Sequence, residues 1–158
     1  MDRNATIERL KQTLDAHREE YLQPLLDLAR LDTHCIGHGI DGGLEKAGQE
    51  YVAKLMGDMG ARVRVAPMVE SDIQQAIERY HDGNPGHNYE NRANVYGRFA
   101  GNGGRSIMFN GHMDTMPAAT ELWHTDPWDP VERDGRLYAL GAADMKSGIM
   151  ASIMHLIP

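Results

Sequence analysis

Two short segments of the sequence carry residues whose types and spacing could hold a metal ion. The first, residues 106–117 (SIMFNGHMDTMP), contains His112 and Asp114. If this segment is a strand, its alternate side chains share a face, so His112 and Asp114 project the same way at its C-terminal end. A histidine beside a carboxylate suits a metal ligand whose other ring nitrogen is held by that carboxylate. The alternative is the incidental polar end of a surface strand, because an isolated His-x-Asp is common.

The second segment is residues 141–148 (GAADMKSG), where Asp144 lies in a glycine-flanked turn between a short predicted strand and a helix. A tightly turning backbone can present this carboxylate inward, and its two oxygens can bridge two cations, which suits hydrolytic two-metal sites. An Asp before an apolar helical run is also a frequent helix cap, and the segment by itself favours that interpretation.

The elements that must position these residues begin with helices. Apolar residues recur at steps of three or four from Ile7 to Leu28, which predicts one amphipathic helix or two, with Pro24 at a kink or a fresh first turn. A further helix is predicted over residues 44–59. Residues 32–43 are rich in Gly and His and lack periodicity, so they are predicted to form a loop.

From residue 61 onward the apolar pattern changes to a period of two. It predicts strands over residues 61–65, 94–99, 106–111 and 136–140. A turn at residues 101–104 is expected to join the second of these strands to the third, and residues 148–157 begin an apolar helix. Helices followed by mixed strands and helices predict an α/β layer structure, with the site at the C-terminal ends of strands.

Other polar residues have simpler interpretations. His34 and His38 are four positions apart, but the glycines around them argue against a helical metal pair and favour loop histidines. Cys35 has no base fixed near it in the sequence, so a packed small residue is preferred over a nucleophile. Lys146 is expected to be positioned by its turn, without a direct part in catalysis.

Composition argues against several classes of protein. The net charge of −7 argues against a nucleic-acid or membrane-surface binder, which would need a basic face. No apolar run approaches the roughly 18 residues that span a bilayer, and the polar N-terminus is unlike a signal peptide. The single cysteine excludes an internal disulfide framework and fits a reducing compartment, so the expected location is the cytoplasm.

Four stretches in the second half of the chain resemble the zinc-dependent family of aminoacylase, carboxypeptidase G, acetylornithine deacetylase and succinyl-diaminopimelate desuccinylase. They are NRANVYGRF, SIMFNGHMDTMPA, WHTDPWDPVERDGRLY and GAADMKSGIMAS, in the family's order and at its spacing. The resemblance covers residues 91–153, and the helical N-terminal region agrees more loosely. It implies an α/β, three-layer zinc-peptidase-like catalytic domain, of which residues 1–158 would be the N-terminal portion.

The resemblance also implies a role for each candidate residue. His112 would be a terminal ligand of one zinc ion, and Asp114 the carboxylate that orients it, counted among the catalytic residues. Asp144 would bridge both zinc ions, and the peptide bond after it is often cis in this family. The complete site would hold two Zn²⁺, with Co²⁺ or Mn²⁺ as alternative ions, and would hydrolyse the amide bond of an N-acyl amino acid or small peptide.

Several parts of the family's pattern are not found in the 158 residues. The adjacent Glu-Glu pair that supplies the general base, a later acidic ligand, a C-terminal histidine and the inserted lid domain are all missing. We therefore expect a truncated, leading part of such an enzyme, without the lid or dimerisation domain; the complete enzyme would be a homodimer.

Two alternatives to an active enzyme remain at this point. One is a catalytically inactive fragment or split-gene product, because two ligands cannot make a tight zinc site. The other is a structural or interaction module, which would have no need of His112 and Asp114 facing a bridging aspartate. Acetylornithine deacetylase or desuccinylase-like activity on a small molecule is the expected parent function, with no nucleic-acid or membrane partner.

Overall fold

The computed structural model describes residues 2–154 of the chain. The helices in this part are α1 (Arg3–Ala16), α2 (Arg18–Arg30), α3 (Lys46–Asp58), α4 (Glu70–Tyr80) and α5 (Ser147–Met154). The strands are β1 (Cys35–Ile36), β2 (Gly42–Gly43), β3 (Arg62–Pro67), β4 (Ala93–Arg98), β5 (Val131–Arg133) and β6 (Arg136–Tyr138). The expected mixture of helices and strands is confirmed. None of the described helices combines the length and the apolar character needed to cross a membrane.

The described strands pair as three antiparallel two-stranded sheets. The longest pairs β3 with β4, in a register that sets Arg62 opposite Arg98 and Pro67 opposite Ala93. β1 pairs with β2, and β5 pairs with β6. A parallel bridge between His34 and Thr115 also brings the segment that carries His112 and Asp114 beside the start of β1.

The apolar core lies where α2, α3 and α5 meet the inner face of the β3–β4 sheet. Its buried side chains are Leu28, Val52, Met56, Met150, Ile153 and Met154. Val63 of β3 and Val95 of β4 pack against this cluster. Burying such side chains provides the main stabilisation of elements this short. Because α2 ends and α5 begins at this core, the segments attached to those ends are held close together.

The N-terminal apolar periodicity corresponds to the two helices α1 and α2. The break between the two helices falls at His17, so Pro24 does not begin a fresh first turn; it lies inside α2. Proline removes one backbone donor from a helix. α2 nevertheless continues past it, since its second half buries Leu28 and Ala29 completely in the core. The helix predicted over residues 44–59 is confirmed as α3.

The period-two pattern correctly located β3, β4 and β6. The predicted strand over residues 106–111 was wrong, and so was the hairpin through residues 101–104, because β4 pairs with β3. No strand among residues 2–154 pairs with residues 106–111. A strand forms only where a neighbouring strand pairs with it, and the alternation of apolar residues cannot supply that neighbour. Within this segment, Ile107 is 75% and Met108 is 86% exposed.

Three further regions differ from the prediction or extend it. The loop predicted for residues 32–43 contains β1 and β2, which pair across a short 3₁₀ turn at Gly37–Gly39. α4 lies in a stretch for which no element was predicted. The apolar helix predicted from residue 148 is confirmed as α5. Its predicted continuation over residues 155–157, with His155, lies outside the described residues.

Candidate functional site

His112 lies between two carboxylates, one at each ring nitrogen. Its Nδ1 is 3.2 Å from Oδ1 of Asp114, and its Nε2 is 3.0 Å from Oδ1 of Asp144. The structure thus brings together all three residues singled out in the sequence, although 32 positions separate His112 from Asp144. The three side chains lie at the surface, with exposed fractions of 49% for His112, 41% for Asp114 and 86% for Asp144.

Asp144 is presented by a short irregular turn that leads directly into α5. The turn, Ala142–Lys146, follows Gly141, whose φ of 71° lies in the left-handed region that favours glycine. Asp144 itself has extended backbone angles, φ −131° and ψ 97°. The peptide bond between Asp144 and Met145 is cis, as the family resemblance implied. The carboxylate meets His112 from this turn, which favours the ligand interpretation over a helix cap.

Lys146 anchors the turn that carries Asp144. Its side chain is buried, and its Nζ donates a hydrogen bond of 2.9 Å to the carbonyl of Leu31, at the end of α2. Burial lowers the pKa of Lys146 to about 8, while the charge of Asp32 opposes this shift. The side chain thus points to α2 rather than to His112. This placement agrees with the expectation of a residue without a direct part in catalysis.

The segment that carries His112 and Asp114 is fixed by hydrogen bonds to residues 33–35. The Thr33 hydroxyl donates to the carbonyl of Met113 at 2.6 Å. The Thr115 amide donates to the carbonyl of Thr33 at 3.2 Å, and the Cys35 amide donates to the carbonyl of Thr115 at 2.9 Å. Because Thr33 and Thr115 are both buried, these contacts are shielded from water. They hold the backbone on both sides of Asp114 in place.

Behind Asp114 lies a largely buried polar cluster formed by Cys35, Glu45 and Arg92. The Cys35 thiol lies 3.3 Å from Oδ2 of Asp114, and Nη2 of Arg92 lies 2.7 Å from Oε1 of Glu45. Burial, and after it the hydrogen bond to Asp114, raise the pKa of Cys35 to about 12. The thiol therefore stays protonated at neutral pH, which agrees with a packed residue and not with a nucleophile.

Sequence reasoning missed Glu45 and Arg92. Glu45 stands at the start of a predicted amphipathic helix, where a glutamate is ordinarily solvated. Arg92 belongs to the stretch NRANVYGRF, which supported the family resemblance without pointing to an ion pair. Their separation in the sequence carries no periodic signal, because the pair forms between the start of α3 and the segment before β4.

The two loop histidines remain apart from this site. His34 has its Nδ1 2.8 Å from Oδ1 of Asp32, and its side chain is 24% exposed. His38 has a positive φ of 56° inside the 3₁₀ turn, so the two residues do not share the face of a helix. The expectation of loop histidines rather than a helical metal pair agrees with this geometry.

The donor atoms of His112 and Asp144 fit two ligand positions of one metal ion. In a tetrahedral zinc site, bonds of about 2.0–2.2 Å keep neighbouring donors roughly 3.4 Å apart. The Nε2–Oδ1 separation of 3.0 Å is close to this value. Among residues 2–154, no group of three or more His, Cys, Asp or Glu side chains is arranged to hold a metal. The described residues therefore offer part of a donor set and not a closed site.

Sequence comparison finds a family model and curated relatives that match parts of the chain. The model of peptidase family M20/M25/M40 matches residues 108–157. A succinyl-diaminopimelate desuccinylase of Ralstonia pickettii (strain 12J) is 48% identical over 56 residues, which cover 35% of this chain and 14% of that protein. An acetylornithine deacetylase of Edwardsiella ictaluri (strain 93-146) is 32% identical over 120 residues, covering 74% of this chain and 26% of that protein.

Structural comparison extends the similarity to nearly the whole chain. The crystal structure of human carnosine dipeptidase 1 matches with a TM-score of 0.69 and 22% identity, over 94% of this chain and 30% of that one. At this identity the match demonstrates a shared fold. The chain spans only 14% to 26% of the length of the two curated relatives described above.

Proposed function

From the premise that this chain belongs to peptidase family M20/M25/M40, we propose that it takes part in the metal-dependent hydrolysis of amide bonds. The observation that carries the proposal is the convergence of His112 Nε2 and Asp144 Oδ1 at 3.0 Å. An imidazole nitrogen and a carboxylate oxygen are ordinary zinc ligands. Both side chains are accessible, so a metal ion and a substrate can reach them from solvent.

Each residue has a distinct part in this proposal. Asp114 would accept a hydrogen bond from the Nδ1–H group of His112, which would leave the Nε2 lone pair for a metal ion. Asp144 would be the second ligand, and its carboxylate, which is 86% exposed, would be accessible to both ions. A bound pair of Zn²⁺ ions, for which Co²⁺ or Mn²⁺ could substitute, would supply Lewis-acid polarisation of the amide carbonyl.

The substrate class follows from the relatives. Their names specify a desuccinylase, a deacetylase and a dipeptidase. We propose that the complete enzyme acts on an N-succinyl or N-acetyl amino acid. A dipeptide is the next choice of substrate. The proposal places His112 and Asp144 in a three-layer catalytic domain of a cytoplasmic enzyme that forms a homodimer.

Metal titration tests the proposed site directly. Cobalt(II) is added to the purified chain and followed by its visible absorption, with parallel calorimetry using zinc. His112→Ala and Asp144→Asn should each weaken binding by about tenfold or more, because each removes a donor. The control is His124→Ala, which removes another exposed imidazole away from the two motifs. Equal affinities of the wild type and both donor variants would contradict the site.

A second candidate is a chain that binds metal weakly and does not turn over. It is favoured by the lack of a third ligating side chain near His112 and Asp144 in the described part of the chain. The zinc-loaded chain is therefore assayed on N-succinyl and N-acetyl amino acids and on dipeptides, with release of the free amine as the signal. Hydrolysis that His112→Ala abolishes would support the enzyme and exclude this candidate. Metal binding without hydrolysis would support the second candidate.

A further inference from the structure

Both oxygens of the Asp114 carboxylate are engaged by specific partners. Oδ1 faces Nδ1 of His112 at 3.2 Å, and Oδ2 lies 3.3 Å from the Cys35 sulfur. Sulfur hydrogen bonds are longer than those of oxygen, so 3.3 Å is a close contact for a thiol donor. A carboxylate bound at both oxygens cannot rotate about its Cβ–Cγ bond without losing one of the two contacts. The orientation of Asp114 is therefore set from both sides.

The groups around Cys35 determine which acceptor its thiol proton is donated to. Oε1 of Glu45 is 3.7 Å from the sulfur, farther than Oδ2 of Asp114. That Glu45 oxygen already accepts from Nη2 of Arg92 at 2.7 Å. Nη2 also lies 3.8 Å from the sulfur of Cys35, to which it can donate a hydrogen bond. The sulfur thus accepts from a cation on one side and donates to Asp114 on the other.

The Glu45–Arg92 pair is itself held away from solvent. The exposed fractions of the side chains are 14% for Arg92 and 5% for Glu45. The Glu45 carboxylate lies against Gly43, where a Cβ would collide with it. A buried ion pair is a poor source of net stability, because desolvation of the charges offsets their attraction. A role in fixing the geometry of its neighbours accounts for the pair better than a role in stability.

We propose that Cys35 is a positioning residue for Asp114, held in turn by the buried Glu45–Arg92 pair, and that this chain of contacts sets the orientation of His112. The inference rests on the proposed function, because these contacts matter for activity only if His112 is a metal ligand. With Asp114 fixed, Nδ1 of His112 stays beside Oδ1 of Asp114, and Nε2 faces Asp144.

Infrared spectroscopy tests the thiol contact without metal or substrate. Cys35 is the only cysteine of the 158 residues, so the S–H stretching band is a single signal. In the wild type this band should lie below the frequency of a free thiol, and Asp114→Ala should shift it back toward the free value. A wild-type band at the free-thiol frequency, or one that Asp114→Ala leaves unmoved, would overturn the proposal.

Nitrogen-15 NMR of the imidazole tests the consequence for His112, with assignment by loss of its signals in His112→Gln. Cys35→Ala should lower the population of the Nδ1–H tautomer, and Cys35→Ser, which keeps a donor, should restore it. The control for a purely structural effect is Val52→Ala, which truncates another buried side chain, one that belongs to the apolar core. The proposal fails if Cys35→Ala leaves the tautomer unchanged, or if Val52→Ala changes it equally.

Metal affinity separates this inference from the function on which it rests. If the site binds cobalt, Cys35→Ala should weaken that binding by about tenfold, as loss of outer contacts to a ligand typically does, and Cys35→Ser should recover most of it. If the wild type binds no metal, the proposed function fails, whereas the S–H band and the tautomer still decide the role of Cys35.

Discussion

The Nζ of Lys146 and the carbonyl of Leu31 are joined by a partly buried hydrogen bond of 2.9 Å. This bond ties the turn that presents Asp144 to the C-terminal end of α2. Lys146 as a residue is 1% exposed. Its amine takes the place of water as the hydrogen-bond partner of a carbonyl at the end of a helix. The position of Asp144 opposite His112 thus depends on a residue from another part of the chain.

Loss of this bond should destabilise the fold. Lys146→Ala leaves the Leu31 carbonyl unpaired and opens a cavity, which together should lower the free energy of unfolding by about 2–4 kcal/mol. Urea denaturation measures the change. The control is Lys54→Ala, which removes an exposed lysine paired with Asp58 on α3 and should cost less than about 0.5 kcal/mol. Equal effects of the two substitutions would contradict a structural role for the buried amine.

Two glycines of α3 should respond to alanine with opposite signs. A Cβ at Gly48 would lie 2.8 Å from Cγ2 of Thr33 and 2.9 Å from Sδ of Met113, so Gly48→Ala should destabilise by about 1–3 kcal/mol. At Gly57 the nearest atom would be 3.9 Å away. Gly57→Ala should therefore stabilise by about 0.5–1 kcal/mol, through helix propensity alone. Thermal unfolding of both variants measures the contrast, and a shift of the same sign in both would be inconsistent with close packing at Gly48.

Tyr51 should make the fold sensitive to alkaline pH. Burial, and then the charge of Asp27, raise its pKa from 10.0 to about 12. In this range the unfolded chain loses the phenolic proton before the folded chain does, so the free energy of unfolding contributed by Tyr51 falls as pH rises from 10 to 12. Denaturant unfolding at several pH values should show a shallower fall for Tyr51→Phe. The control is Tyr80→Phe at a ring that is 67% exposed. If the free energy of unfolding falls as steeply with pH in Tyr51→Phe as in the wild type, this linkage is excluded.

The exposed apolar residues at 107 and 108 should promote self-association. Contiguous exposed apolar side chains favour association with another copy, because association removes them from water. Sedimentation velocity at increasing concentration should show larger species for the wild type and fewer for the double variant Ile107→Lys and Met108→Lys. Leu122→Lys, which changes an apolar residue that is 76% exposed elsewhere, is the matched control. A strictly monomeric wild type, or an equal effect of the control, would contradict this prediction.

Local signals located much of the fold. The apolar steps of α2 and α3 and the alternation in β3 and β4 are properties of short windows, because helices and strands repeat every few residues. Residues 106–111 have the same alternation and do not form a strand, since a strand also needs a partner that the pattern cannot supply. At Pro24 the local signal is overridden in the opposite sense. Proline disfavours a helix interior, but the packing of Leu28 in the core keeps α2 helical through this residue.

The amino-acid sequence by itself determined which residues could do chemistry, since His112, Asp114 and Asp144 stand in motifs whose residue types and spacing are recognisable along the chain. Their roles as ligands stay a prediction. Only the tertiary structure decided that His112 meets Asp144 and that Cys35, with Glu45 and Arg92, lies behind Asp114. These contacts join residues far apart in the sequence, and they depend on how α2, α3 and α5 pack, which no local pattern encodes.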